Sequence, residues 1–235
     1  MNRNYNFLPI DLPFYLVLFL LVILLLPVLS FLYVGGIVGA FAKLGLSPFA
    51  GYSLLFLALI GSMINIPVKK IGSSEEFISE KEVSFYGIRY RIPITDKRET
   101  IIALNVGGAL VPASVSLYEL IRLLAMGRIW LFFASLIAVT IVAAVCYRFA
   151  RPVKGLGIAI PTFIPPIIAA LTALILAWHN PSIVAYIGGT IGTLIGADLM
   201  NISRITDLGA PIASIGGAGT FDGIFLTGIL AVLLV

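Results

Sequence analysis

Charge is what this sequence has least of. Asp, Glu, Lys and Arg make up 11% of its 235 residues, less than half of the roughly 25% found in soluble domains. So few charges cannot cover a water-facing surface. The AVILMFWYC set reaches 60%, against about 45–50% for a soluble domain even with glycine included. A soluble enzyme, a disordered chain and a nucleic-acid-binding domain are excluded together. Cysteine is nearly missing too. Cys146 stands alone, so no internal disulfide and no Cys-based metal site can form. It falls in an apolar run and reads as a small buried hydrophobe. His179 is the single histidine, which removes any multi-histidine site. No metal or cofactor is expected.

What is present is a series of long apolar runs. About 20 apolar residues cross the ~30 Å hydrocarbon core of a bilayer. The chain therefore reads as an all-α polytopic integral membrane protein of about seven transmembrane helices. Leu12–Val34 and Leu44–Ile66 give two spans within an N-terminal unit, 1–66. A cleaved signal peptide ending near Ala40-Phe41-Ala42 is the alternative for the first span. Its apolar run is far longer than a 7–15-residue signal core, and only Arg3 precedes it.

Residues 67–100 then carry seven basic and six acidic residues and form a small insertion outside the bilayer. Within it Val83–Ile92 partly alternates and is rich in aromatic and branched residues, which suggests a short hairpin. The remainder, 101–235, is a membrane core of about five helices. Its spans are Ile101–Tyr118, Ile129–Tyr147, Ile158–Trp178, Ser182–Leu199 and Phe221–Val235. Between the first two lies an amphipathic stretch, Glu119–Arg128, suited to the membrane interface. Glu119 and Arg122, three apart, can pair there. Pro161, Pro165 and Pro166 should kink or unwind the span they occupy. A Gly/Pro-rich broken segment, Gly209–Thr220, precedes the last span.

Basic residues favour the cytoplasmic side. Seven spans place twelve of the fifteen on the side of the N-terminus and three on the other. The sequence thus predicts a cell-membrane protein with its N-terminus and residues 67–100 cytoplasmic and its C-terminus outside. A pI near 9.3 follows from these loop charges and not from nucleic-acid binding.

Ionisable groups within spans are costly and are functional candidates by default. Asp198 closes the sixth span and Asp222 opens the seventh, with Asp207 between them. Consecutive antiparallel helices would let Asp198 and Asp222 face each other near the cytoplasmic leaflet. Two carboxylates in a low-dielectric site share one proton. One then activates water while the other protonates a carbonyl oxygen, as an aspartic protease requires. The alternatives are an ion or proton site, or plain helix-end residues, with Asp222 as an N-cap. Gly216, Gly217, Gly219 and Thr220 are the candidate substrate-binding residues, because glycine lets another backbone approach and exposes N–H groups. The other reading of this segment is close helix packing. Gly188, Gly192 and Gly196 recur every fourth residue, a helix-packing face that would draw a neighbour close to Asp198. Asn105-Val-Gly-Gly and Asp207-Leu-Gly both continue into Ala and Pro, a hint of an internal repeat. His179 falls in a short outer turn.

Gly196–Ile202, Leu208–Leu234, Asn105–Pro112 and Pro165-Pro166 resemble an uncharacterised prokaryotic family of multi-pass membrane proteins of unknown function. A second, shorter resemblance is to presenilin-like and prepilin-peptidase-like intramembrane aspartyl proteases, which carry Gly-x-Gly-Asp on a catalytic helix. Gly219-Thr220-Phe221-Asp222 keeps the first glycine, Phe221 replaces the second, and Asp198 follows Ala197 where presenilins have Tyr. That resemblance implies peptide-bond hydrolysis, with Asp198 and Asp222 catalytic and a membrane-protein or peptide substrate. A proton- or cation-coupled transporter or channel using the same aspartates is the alternative. A non-catalytic membrane scaffold is the third.

Overall fold

The computed structural model describes residues 12–85, 88–153, 157–205, 212–217 and 223–235. Eight helices are described: α1 (Leu12–Lys43), α2 (Pro48–Gly61), α3 (Val111–Ala125), α4 (Ile129–Phe149), α5 (Ile164–Leu176), α6 (Pro181–Thr193), a single-turn α7 (Ile202–Ile205) and α8 (Gly223–Leu233). Among the described residues, four helical segments are long and apolar enough to cross a membrane: Phe14–Lys43, Val106–Ala125, Ile129–Phe149 and Pro181–Asn201. Helices α2, α5 and α8 are apolar but shorter. The chain is thus a mainly helical membrane protein.

Local chemistry sets several helix starts. Ser47 caps α2, its Oγ accepting the Ala50 N–H at 3.2 Å, and Pro48 opens the first turn. Pro181 opens α6 in the same way. Proline suits this position because its fixed φ matches the helix and its missing N–H has no partner there anyway. The same rule corrects the reading of the fifth span. Pro165 and Pro166 lie in the first turn of α5 and start that helix without kinking it, while Pro161 lies outside. The chain ahead of it is a two-stranded ribbon, β3 (Arg151–Val153) with β4 (Gly157–Ala159).

Residues 101–105 correct another expected boundary. They are strand, not helix. An antiparallel hairpin runs far beyond Val83–Ile92: β1 (Asn65–Phe85) pairs with β2 (Ile88–Asn105) from Phe85↔Ile88 to Asn65↔Asn105. Helix begins only at a π-turn, Val106–Leu110, and continues as α3. Glu119 and Arg122 thereby fall inside helix α3. Glu119 is fully buried.

The broken segment also differs from expectation. Its described part is a strand, β5 (Ile212–Ile215), lying parallel to β2 with Ile101↔Ile212 and Leu104↔Ile215. Strand β2 therefore sits between β1 and β5.

Among the described residues two large apolar clusters, and a smaller one of Ile102, Ala109 and Ile215, make the core. One joins α4, α5 and α6 through small residues such as Ala134, Ala138, Ala169 and Ala185. The other gathers Ile37 and Phe41 of α1, Leu55 of α2, Val115 of α3 and Phe225 of α8 around Tyr186 of α6. The Phe41 ring lies 6.1 Å from that of Tyr186 and 6.4 Å from that of Phe225. Much of the rest of α1, Phe14–Leu32, is exposed apolar surface.

Candidate functional site

Helix α6 loses its α-helical pitch before it reaches Asp198. Leu194–Asp198 form a second π-turn, followed by a 3-10 turn, Leu199–Asn201. A π-turn bonds i to i+5 and inserts one residue per turn. Asp198 is thus rotated towards the face that carries Thr193, where a regular α-helix would present Ala197. Both Thr193 and Asp198 line a cavity of about 230 Å³.

Asn201 holds this irregular end. Its Nδ2 donates to the carbonyls of Gly196 (2.9 Å) and Ala197 (3.0 Å), two groups left over by the broken ladder. Arg204 donates to Asn201 Oδ1 at 3.1 Å and stacks on the Tyr147 ring at 5.3 Å. The sequence signal for Asn201 was its place three residues after Asp198, amid apolar neighbours.

The glycine face of α6 sets the backdrop. A Cβ on Gly188 would meet Ala138 Cβ at 2.8 Å, one on Gly192 would meet Val142 Cβ at 2.6 Å, and one on Gly196 would strike the Ala143 carbonyl. The three glycines therefore all pack against α4, at Ala138, Val142 and Ala143. The neighbour drawn close to Asp198 is α4.

Opposite lies the end of β5. Asp198 Oδ2 accepts the Gly216 N–H at 2.9 Å. Gly216 has φ +78°, and a Cβ there would overlap Ala109. Space and backbone conformation both demand glycine. Gly217 follows with φ +119°. Of the four expected substrate-binding residues, Gly216 thus bonds Asp198, and Gly217 follows it in the chain. Gly219, Thr220 and Asp222, like Asp207, lie outside the described residues. Gly223, which directly follows Asp222, lines the same cavity as Asp198, together with Ile224 and Thr227 of α8 and Pro165 of α5.

A polar network at the base of the sheet fixes β5. Asn105 Nδ2 donates to the Ser62 carbonyl (2.8 Å) and to Asn65 Oδ1 (3.0 Å). Asn105 Oδ1 accepts the Gly108 N–H at 2.7 Å, which caps the first π-turn. Asn65 Oδ1 also accepts from Ser214 Oγ at 2.6 Å. Asn105, through Asn65, and Asp198 thus both hold the C-terminal end of β5, at Ser214 and Gly216. Asn65 and Ser214 carried no sequence signal of this role.

His179 is exposed beside Trp178, away from Asp198. The Glu119–Arg122 pair forms, at 3.2 Å.

No curated protein and no solved structure matches the chain. Residues 59–234, which hold the hairpin, both π-turns and the Asp198 cavity, match the family described as protein of unknown function, DUF1614, and the chain belongs to that family.

Proposed function

We propose that this protein is an intramembrane aspartyl protease in which Asp198 and Asp222 act on peptide bonds of membrane proteins. One observation carries the reading: Asp198 and the residue next to Asp222, Gly223, line a single cavity between α5, α6 and α8. A carboxylate at each wall would share a proton, since two charges cannot ionise cheaply in a low-dielectric site. One would take a proton from water and the other would protonate the carbonyl oxygen. The N-terminus of α8 opens onto the cavity, and its positive dipole end favours a carboxylate. In this reading α2, α5 and α8 complete seven spans, the β1–β2 hairpin is cytoplasmic, and the C-terminus is outside.

A proton- or cation-coupled transporter is the second reading. The buried polar groups of α3 and α6 favour it, because such groups inside a bilayer mark ion and proton paths.

The test is cleavage of membrane-spanning peptides by purified protein in lipid vesicles, comparing wild type with Asp198→Asn and Asp222→Asn. Cleavage by wild type and by neither variant supports the protease. Cleavage that survives in either variant overturns the dyad.

A further inference from the structure

The core holds a second group of polar side chains that the aspartate site does not use. Glu119 of α3 is fully buried, and Tyr186 and Thr190 of α6 are at most 1% exposed. The Glu119 carboxylate receives Arg122 Nη1 at 3.2 and 3.3 Å. The same nitrogen donates to the Leu44 carbonyl at 2.8 Å, in the turn between α1 and α2. Val115 of α3 packs in the apolar cluster around Tyr186, and Glu119 stands one turn further along that helix. Yet the Tyr186 hydroxyl and Thr190 Oγ1 have no hydrogen-bond partner among the described residues. Leaving a buried polar group unmade costs about 1–3 kcal/mol. Phenylalanine and valine would fill the same volumes without that cost.

Position gives these groups a shared purpose. Tyr186, Thr190 and Thr193 are spaced four and three apart, one face of α6. The π-turn brings Asp198 next along that face, and Thr193, Thr227 and Asp198 line the cavity. Gly228 of α8 keeps the middle open, because a Cβ there would collide with Thr190 Oγ1 and press on the Tyr186 ring. At 1.5 Å per residue, Tyr186 to Asp198 covers about 18 Å, more than half of the ~30 Å hydrocarbon core. Arg122 continues the line to the α1–α2 turn.

We propose that Glu119, Tyr186 and Thr190 form a proton relay between the Asp198 cavity and the α1–α2 end of the bundle. A proton arriving from the cavity passes to Thr190 Oγ1, which releases its own proton towards the Tyr186 hydroxyl. Tyr186 in turn delivers its proton to the Glu119 carboxylate. Each hydroxyl gains one proton and loses one, so only Glu119 changes charge. Hydroxyl rotation restores the starting orientation. Glu119 then releases its proton past Arg122, whose guanidinium stays anchored on the Leu44 carbonyl. A pH difference or membrane potential drives the transfer. Peptide-bond hydrolysis is not required for any step.

The test is proton flux. The full chain is reconstituted in liposomes enclosing a pH-sensitive dye, and a potassium diffusion potential is applied. Wild type should acidify the lumen at least tenfold faster than protein-free liposomes. Glu119→Gln, Tyr186→Phe and Thr190→Val should each remove most of that excess. The last two change almost no volume, so retained thermal stability separates lost conduction from lost fold. Wild type that conducts no faster than protein-free liposomes overturns the relay. So does wild-type flux from Tyr186→Phe and Thr190→Val. Cleavage measured in the same liposomes reads the Asp198–Asp222 proposal separately.

Discussion

Asp198 Oδ2 accepts the Gly216 N–H at 2.9 Å across 18 residues of chain. This bond joins the end of a transmembrane helix to the end of a strand. It orients a carboxylate that lines the cavity. Charge-assisted bonds of this kind are roughly twice as strong as neutral ones.

Gly216→Ala should therefore disturb the site without touching a carboxylate. The left-handed backbone costs an alanine about 1–2 kcal/mol, and overlap with Ala109 adds about 1–3 kcal/mol. Thermal unfolding in detergent should show a clear loss of stability. Asp198→Asn keeps an oxygen acceptor for the same N–H and should lose less. A Gly216→Ala protein as stable as wild type would contradict the observed close approach.

Asn105 is the second anchor of this end of β5, through Asn65 and Ser214. Asn105→Asp keeps the acceptor for Gly108 but turns two donated bonds into repulsion from the Ser62 carbonyl and Asn65 Oδ1. The expected loss is about 1–3 kcal/mol for each buried group left unsatisfied. Limited proteolysis should then cut the β1–β2 hairpin faster, since its base is held by these bonds. An unchanged digestion rate would show that the network does not hold the hairpin.

The glycine face predicts a graded series. Alanine at Gly196 meets backbone, which cannot yield, whereas at Gly188 and Gly192 it meets side chains. Gly196→Ala should be the most destabilising of the three. Val142→Ala should rescue Gly192→Ala only in part, because it removes the Cγ1 that the new methyl meets at 2.8 Å and keeps the Cβ at 2.6 Å. A double-mutant cycle checks this, with a coupling of about 0.5–3 kcal/mol expected for residues in contact. Strict additivity would contradict the packing.

The Glu119–Arg122 pair should respond asymmetrically. Arg122→Ala leaves a buried carboxylate uncompensated, an effect of about 3–5 kcal/mol. Glu119→Gln leaves Arg122, which is partly exposed and still bonded to Leu44, and should cost much less. Equal losses in thermal unfolding would show that the carboxylate is not buried.

The Gly188–Gly192–Gly196 stripe was readable in the sequence because four-residue spacing is a local signal. So was the apolar character of the spans. The parallel pairing of β5 with β2 was not readable. It joins residues 101–104 to 212–215, and no local pattern links segments more than 100 residues apart. Ile101–Asn105 is apolar enough to serve as strand or helix, and the Asn105 cap, not hydropathy, decides where helix begins. The prolines of α5 misled because the same residue breaks a helix in its interior and starts one at its first turn. The π-turn at Asp198 left no mark in the apolar periodicity, yet it aims the carboxylate.

The central claim is that Asp198 and Asp222 share one site, and proximity tests it most directly, because it needs no knowledge of the substrate. Asp198→Cys and Asp222→Cys are combined in a Cys146→Ser background and treated with a short bifunctional methanethiosulfonate. The account predicts efficient intramolecular cross-linking of the pair. Failure to cross-link, with both thiols reacting fully with a monofunctional reagent, would contradict it.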